Sequence, residues 1–271
     1  MNEWRETLKT FLHNDQWEEV ITFIEKDKTK HAGTAPAQVK RKAIKLIEST
    51  YKNDQAKRQR ITVYLGTHNS PTAKEISAHL LPGIYAKNPN RTTSLLKVIA
   101  DDDNWEVREW AAGACGELLA KQFDEFYPIL IKWVKSDSEN VRRAVALAVM
   151  YASKALNVDY AARLIQVIEP LMRDFSVYVK KNLGPFAIGD GLMKRYPEQV
   201  LSWLKGCAAI DDEQVRWNVA MAFSTAASRS YATEGKAILS TLENDSRASV
   251  QRSVKKAQHN LEKAPAKTKK R

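Results

Sequence analysis

Apolar positions in the C-terminal two thirds of the chain recur in one phrase, Asp-x-x-x-Val-Arg. It occurs at Asp103 to Arg108, at Asp137 to Arg142 and at Asp211 to Arg216, with looser copies from Asp174 to Lys180 and from Asp245 to Gln251. The anchor residues Val107, Val141, Val179, Val215 and Val250 are spaced by 34, 38, 36 and 35 residues. A period of that size predicts an array of helical hairpins. The valine opens an apolar stripe at helical spacing, Val107, Ala111, Ala114 and Leu118 in one copy and Val141, Val145, Ala148 and Ala152 in the next. A hairpin with one apolar face buries it only against a neighbour. The expected hairpins pair 93–100 with 107–121, 126–135 with 141–156, 160–172 with 177–196, 197–207 with 215–227, and 234–243 with 250–262.

The phrase itself implies local jobs. Its aspartate is expected to cap the second helix of each hairpin, where free N–H groups and the helix dipole favour an anion. Arg108, Arg142 and Arg216 are expected to bridge to the aspartate of an adjacent repeat. The first ninety residues look helical without the repeat. Trp4, Leu8, Phe11 and Leu12 fall at helical spacing, and Ser70-Pro71 reads as a cap followed by a first-turn proline. Lys40, Arg41, Lys42 and Lys45 read as a solvated basic helix face unless the array aligns them for phosphate contact. Trp4, Trp17 and Trp203 read as packing residues. The domain expectation is one helical-repeat domain, 1–261, with irregular helices over 1–90, five repeats over 91–261, and a disordered basic tail, 262–271.

Composition narrows the partner. A chain of 271 residues with 44% apolar content can bury a core without disulfides or metal. Cys115 and Cys207 sit in apolar helical pattern and read as buried groups of a reducing compartment. No apolar run is long enough to cross a bilayer and the start has no signal-peptide core, so a soluble, cytoplasmic, monomeric protein is expected. The net charge of +11 favours a polyanionic partner, and the tail, with five basic residues and one acid, holds four of those charges. The five histidines show no metal spacing, and no Gly-rich phosphate loop or nucleophile elbow is present, so neither metal nor cofactor is expected.

Candidate chemistry lies one position past the phrase, at Glu109, Arg143, Lys181, Trp217 and Arg252. These residues point away from the apolar stripe, onto the face that helical solenoids use for ligands. Along the face of Glu109 come Gly113, Gly116 and Ala120, and each helical glycine costs about 1 kcal/mol relative to alanine. The two glycines imply either a bulky ligand or the close packing of another helix. Glu109 is open to a second reading, as half of a surface ion pair with Arg108 or Arg143, and Trp105 as a cover for the seam between repeats.

Over residues 95–204 the chain resembles the DNA alkylation repair glycosylases built from HEAT-like repeats, the AlkD and AlkC type. The resembling residues are Asp103-Asn104-Trp105-Glu106-Val107-Arg108-Glu109, Lys132-Trp133-Val134-Lys135-Ser136-Asp137 leading to Val141-Arg142-Arg143-Ala144, and Lys180-Lys181-Asn182-Leu183-Gly184. The resemblance implies release of cationic N3- or N7-alkylated purines from duplex DNA, in the AlkD type without flipping the base into a pocket. It implies that Trp105 contacts the lesion nucleotide, that Arg143 binds phosphate, and that Glu109 stands at the catalytic carboxylate, which is aspartate in the AlkD type. A second aromatic of that site, a tryptophan, falls near Pro185-Phe186, leaving Phe186 to take its place.

The expected fold is thus all-α, a right-handed α-solenoid of HEAT-like helical hairpin repeats with a concave basic groove. The expected function is hydrolysis of the N-glycosidic bond of an alkylated purine in double-stranded DNA. Glu109 would be catalytic, Trp105, Phe186 and Trp217 lesion-contacting, and Arg143, Lys181 and Arg252 phosphate-binding. Two alternatives stay open: an inactive paralogue that binds damaged or branched DNA, and a protein-binding HEAT-repeat scaffold.

Overall fold

The computed structural model describes residues 2–29 and 32–263, and among these it contains helices and turns and no strand. All of the expected tail from residue 264 onward lies outside the described residues. The chain forms two compact units, Met1–Cys115 and Gly116–Arg271.

The first unit contains α1 (Asn2–His13), α2 (Trp17–Ile24), α3 (Ala37–Thr50), α4 (Gln55–Thr67), α5 (Pro71–Leu80), α6 (Pro89–Ala100) and the larger part of α7 (Trp105–Lys121). Its core collects Leu8 and Leu12 of α1, Val20, Ile21 and Ile24 of α2, Ala43, Ile44 and Ile47 of α3, Ile61 and Leu65 of α4, and Ile76 and Leu80 of α5. Trp4 and Trp17 pack against that core as expected. Ser70 caps α5 by accepting from the Ala73 N–H, and Pro71 occupies the first turn, where no N–H is needed. Tyr51 ties α3 to α1 by donating to the Leu12 carbonyl at 2.6 Å.

One charge sits where the basic run did not predict it. Lys40 is fully buried rather than part of the solvated face, and its Nζ lies 2.6 Å from Glu75 Oε2 and 3.3 Å from Glu106 Oε1. The residues beside it in sequence, Arg41, Lys42 and Lys45, are exposed. Lys40 falls on the apolar stripe of α3, with Ala43, Ile44 and Ile47, and a buried cation persists only when paired.

The second unit takes the end of α7, then α8 (Phe123–Trp133), α9 (Glu139–Ala155), α10 (Ala161–Ile168), α11 (Val177–Asn182), a π-helical stretch (Leu183–Leu192), α12 (Met193–Arg195), α13 (Pro197–Ala208), α14 (Glu213–Ala222), α15 (Ala232–Ser240) and α16 (Ala248–Leu261). The second helices stack in order: α9 against the π stretch, the π stretch against α14, and α14 against α16. All five anchor valines across the two units are buried, as is every residue of the two stripes read from the sequence. Cys115 and Cys207 are buried too. Pro185 accounts for the π widening: its ring cannot sit over the carbonyl four residues back, and it has no N–H to complete an α turn.

The phrase aspartate is not the helix cap. Asn104, Ser138, Ser176 and Asp212 hold that position, each accepting from N–H groups two or three residues ahead. Asp103, Asp137 and Asp211 stand one residue too early, outside the first turn. The arginines behave as expected within the second unit. Arg142 of α9 grips Asp174 with two hydrogen bonds, at 2.6 and 3.1 Å, and Arg216 of α14 reaches Asp245 at 2.7 Å. The same side chains also donate six residues back, Arg142 to the Ser136 carbonyl and Arg216 to the Ile210 carbonyl, and in the first unit Arg108 does so to that of Asp102. The Arg247 and Arg216 guanidinium groups hold the Asp245 carboxyl well below the usual carboxylate range.

The two glycines of α7 separate. A Cβ on Gly113 would meet nothing within 4 Å, whereas one on Gly116 would lie 2.4 Å from the Tyr151 Cβ and 3.2 Å from the Ala148 carbonyl of α9. Gly116 is therefore a close-packing residue, and Gly113 faces open space.

Two stability measurements follow. Arg142→Met strands the nearly buried Asp174 carboxylate and is expected to lower urea stability by about 2–4 kcal/mol, against about 0.5 kcal/mol for Lys154→Met at its exposed partner Asp190. Gly113→Ala is expected to leave the melting temperature unchanged or raise it, gaining up to about 1 kcal/mol of helix propensity, while Gly116→Ala lowers it, losing about 1–3 kcal/mol of stability to overpacking. Equal melting temperatures for the two glycine variants would contradict this reading of α7.

Candidate nucleic-acid interface

The first turn of α7 is built from both sides. Asn104 accepts from the Glu106 N–H at 2.9 Å through its side-chain oxygen and donates to the Ala32 carbonyl at 2.8 Å through its amide. The Asp102 carboxylate accepts from the Asn104 N–H at 2.9 Å and is held by Lys74 at 2.6 Å. Arg108 donates to the carbonyls of Asp102 and Asp103. Val107, fully buried, fixes the rotation of the helix, so that residues two away in sequence turn outward.

That rotation places Trp105, Glu109 and Gly113 at steps of four along one face. Trp105 is 46% exposed, Glu109 is partly exposed, and Gly113 leaves open space beyond it. An aromatic, a carboxylate and a gap thus occupy three consecutive turns of one well-anchored helix.

The other sequence-selected residues lie in the second unit, and they differ in availability. Arg143 is only 8% exposed, and its guanidinium carbon lies 4.7 Å from the centre of the Tyr178 ring. Lys181 and Arg252 are exposed. Phe186 is 48% exposed, presented by the π stretch. Trp217 is partly buried and carries the Lys180 ammonium 4.5 Å above its ring. Cation–π contacts of this kind contribute roughly 0.5–2 kcal/mol each. Burial lowers the pKa of Lys180.

The structure therefore groups two of the selected residues, Trp105 and Glu109, on α7. It pairs two more with residues that the sequence did not single out, Arg143 with Tyr178 and Trp217 with Lys180. The available signal was the repeat register. Lys180 occupies the phrase-arginine position of the third copy, and Tyr178 directly precedes the anchor Val179. Among the described residues no helix is long and apolar enough to cross a membrane, and no cluster of three His, Cys, Asp or Glu side chains could hold a metal ion.

The chain is similar to known proteins in fold more than in sequence. A family model of HEAT repeats matches residues 92–174. No curated protein matches the chain by sequence. Among solved structures, AlkD2 from Streptococcus mutans is similar with a TM-score of 0.61 at 21% identity, covering 76% of this chain and 97% of that one. The alkylpurine DNA glycosylase AlkC of Pseudomonas fluorescens, solved bound to DNA containing an abasic site analogue, is similar with a TM-score of 0.54 at 17% identity, covering 86% of this chain and 67% of that one. The chain has the all-α, HEAT-like solenoid fold of the AlkD and AlkC type.

Proposed function

We propose that this protein binds alkylated double-stranded DNA and hydrolyses the N-glycosidic bond of cationic N3- or N7-alkylated purines, with Glu109 as the catalytic carboxylate. The observation that carries the reading is the outward face of α7, where Trp105, Glu109 and the open space at Gly113 follow one another at helical spacing. The fold shared with an alkylpurine DNA glycosylase supports it, as does the net charge of +11.

The chemistry needs little more than this face supplies. An alkylated purine already carries positive charge and leaves readily, so strong protonation is unnecessary. As the bond breaks, positive charge develops on the sugar. A carboxylate fixed nearby stabilises that charge and orients the attacking water. Glu109 is one methylene longer than the aspartate of the AlkD type and reaches further from the helix. Trp105, four residues before it, stacks on or leans against the lesion nucleotide. Phe186 and Trp217 extend the aromatic contacts. Lys181 and Arg252, both exposed, bind phosphates, and Arg143 adds its charge from the Tyr178 ring.

Glu109 in place of aspartate favours a second reading, damaged-DNA binding without excision. Base release from a duplex oligonucleotide containing N7-methylguanine decides between the two. Under the glycosylase reading the wild type releases the base, and Glu109→Ala loses at least about 100-fold in single-turnover rate with its DNA affinity within a few-fold of wild type. Equal rates for the two proteins would remove Glu109 from the mechanism. In the same duplex, affinity should fall steeply with salt, and Lys181→Ala with Arg252→Ala should flatten the log–log slope by about 2. A salt-independent affinity would instead fit a protein-binding scaffold.

A further inference from the structure

Lys40 of α3 and Glu75 of α5 are both fully buried, and Glu106 joins them from the first turn of α7. The cluster is bonded all round except at one atom. Lys40 Nζ lies 2.6 Å from Glu75 Oε2, 3.3 Å from Glu106 Oε1 and 3.2 Å from Thr34 Oγ1, with the Trp110 ring centre 5.1 Å away. Thr34 donates to the other Glu106 oxygen, Oε2, at 2.8 Å. Glu75 Oε1 has no hydrogen-bond partner among the described residues.

A buried ion pair of this kind is a poor source of stability, because stripping water from the charges offsets most of their attraction, and apolar side chains of similar volume do as well or better. What such a cluster does supply is direction. Glu106 lies between Trp105 and Val107, one turn before Glu109, and Trp110 follows one turn after Glu106. Asn104, bonded to the Ala32 carbonyl, ties the same turn to the same loop that carries Thr34.

We propose that Lys40, Glu75 and Glu106 are positioning residues for the face of α7 that bears Trp105 and Glu109, and that a proton on Glu75 decides how firmly Lys40 holds Glu106. The link to catalysis rests on the glycosylase reading, whereas the link to the conformation of α7 does not.

The balance of charge makes the device responsive. The charged groups acting on Glu75 are Lys40 from α3, Glu106 from α7, and Asp102 from the turn before α7, itself paired with Lys74. With both glutamates ionised, one ammonium serves two carboxylates and sits nearer to Glu75. With Glu75 protonated, the whole charge of Lys40 falls to Glu106, and the first turn of α7 is held more tightly. Burial pushes the Glu75 carboxyl up to about 7, against the pull of Lys40 and with a further push from Glu106. The folded-state value is raised, so this group's contribution to stability is complete below the ordinary carboxyl range and is lost as pH rises toward and through about 7. The hold on α7 weakens over the upper part of that window.

The full chain labelled with 5-fluorotryptophan tests this without reference to activity, with the Trp105 and Trp110 signals assigned through Trp105→Phe and Trp110→Phe. Both fluorine resonances should titrate together with a midpoint near pH 7, and in Glu75→Gln both should stay at their low-pH positions. Absence of the wild-type titration, its persistence in Glu75→Gln, or movement of Trp110 alone would overturn the proposal. On methylated duplex DNA, the single-turnover rate of the wild type should decline by about threefold or more between pH 6 and 8, Glu75→Gln should be flat, and Glu106→Gln should be about tenfold slower with DNA affinity unchanged. If the wild type leaves the methylated base in place while the fluorine titration holds, the glycosylase reading fails and the positioning of α7 stands.

Discussion

A helical hairpin with one apolar face has nowhere to bury it except against the next hairpin, and every other feature of this chain is arranged around that constraint. Dispersion and hydrophobic burial bring the second helices together, but they do not fix rotation or register, because apolar contact has no direction. Direction comes from the turn before each second helix. In α9 and α14 the anchor valine is driven inside, the residue before the helix closes its free N–H groups, and the arginine after the valine spans from the preceding turn to the next aspartate. Once those three are set, the orientation of each following side chain is determined; in α7 the buried Val107, the Asn104 cap and the bonds of Arg108 to the Asp102 and Asp103 carbonyls set the outward face.

The parts of this that can be read from the sequence are those written at short range and repeated. The period, the buried stripes, the Ser70-Pro71 helix start and the bridging arginines are of that kind. Capping was legible only in kind, since a polar pair such as Asp103-Asn104 or Asp211-Asp212 offers two candidates one residue apart, and the exact start of the helix chooses between them. The buried charges were not legible. Lys40 looks like its neighbours in a basic run, and what separates it from them is a carboxylate 35 residues away in sequence and another 66 residues away. Arg143 gives the same lesson. Its position in the repeat marks it as outward, while the Tyr178 ring of the following hairpin covers it.

The candidate site combines groups of opposite demands. On the first unit, the carboxylate of Glu109 is partly exposed on the face of α7, between Trp105 and the open space at Gly113. The cations of the second unit divide into exposed ones, Lys181 and Arg252, and ones laid over aromatic rings, Arg143 and Lys180. An exposed lysine contributes long-range attraction and little orientation, whereas a cation stacked on a ring has already lost its rotamer freedom and meets a partner at smaller entropic cost.

The third hairpin departs from the pattern at one residue. Where α9 and α14 carry a forked arginine, α11 carries Lys180, which lies over the Trp217 ring of α14. Behind it the helix widens, and Gly184 and Gly189 let the backbones approach so closely that a methyl group would collide with Asn218, Met221 and Ala222. Across this seam the buried Asn218 amide donates to the Met172 carbonyl at 3.2 Å and Arg173 lies 3.7 Å from Asp212, in place of the two-point grip that Arg142 has on Asp174. The side chains withheld at Gly184 and Gly189 therefore act as spacers in reverse: a methyl group at either would wedge the third hairpin away from α14 and stretch the Asn218–Met172 bond.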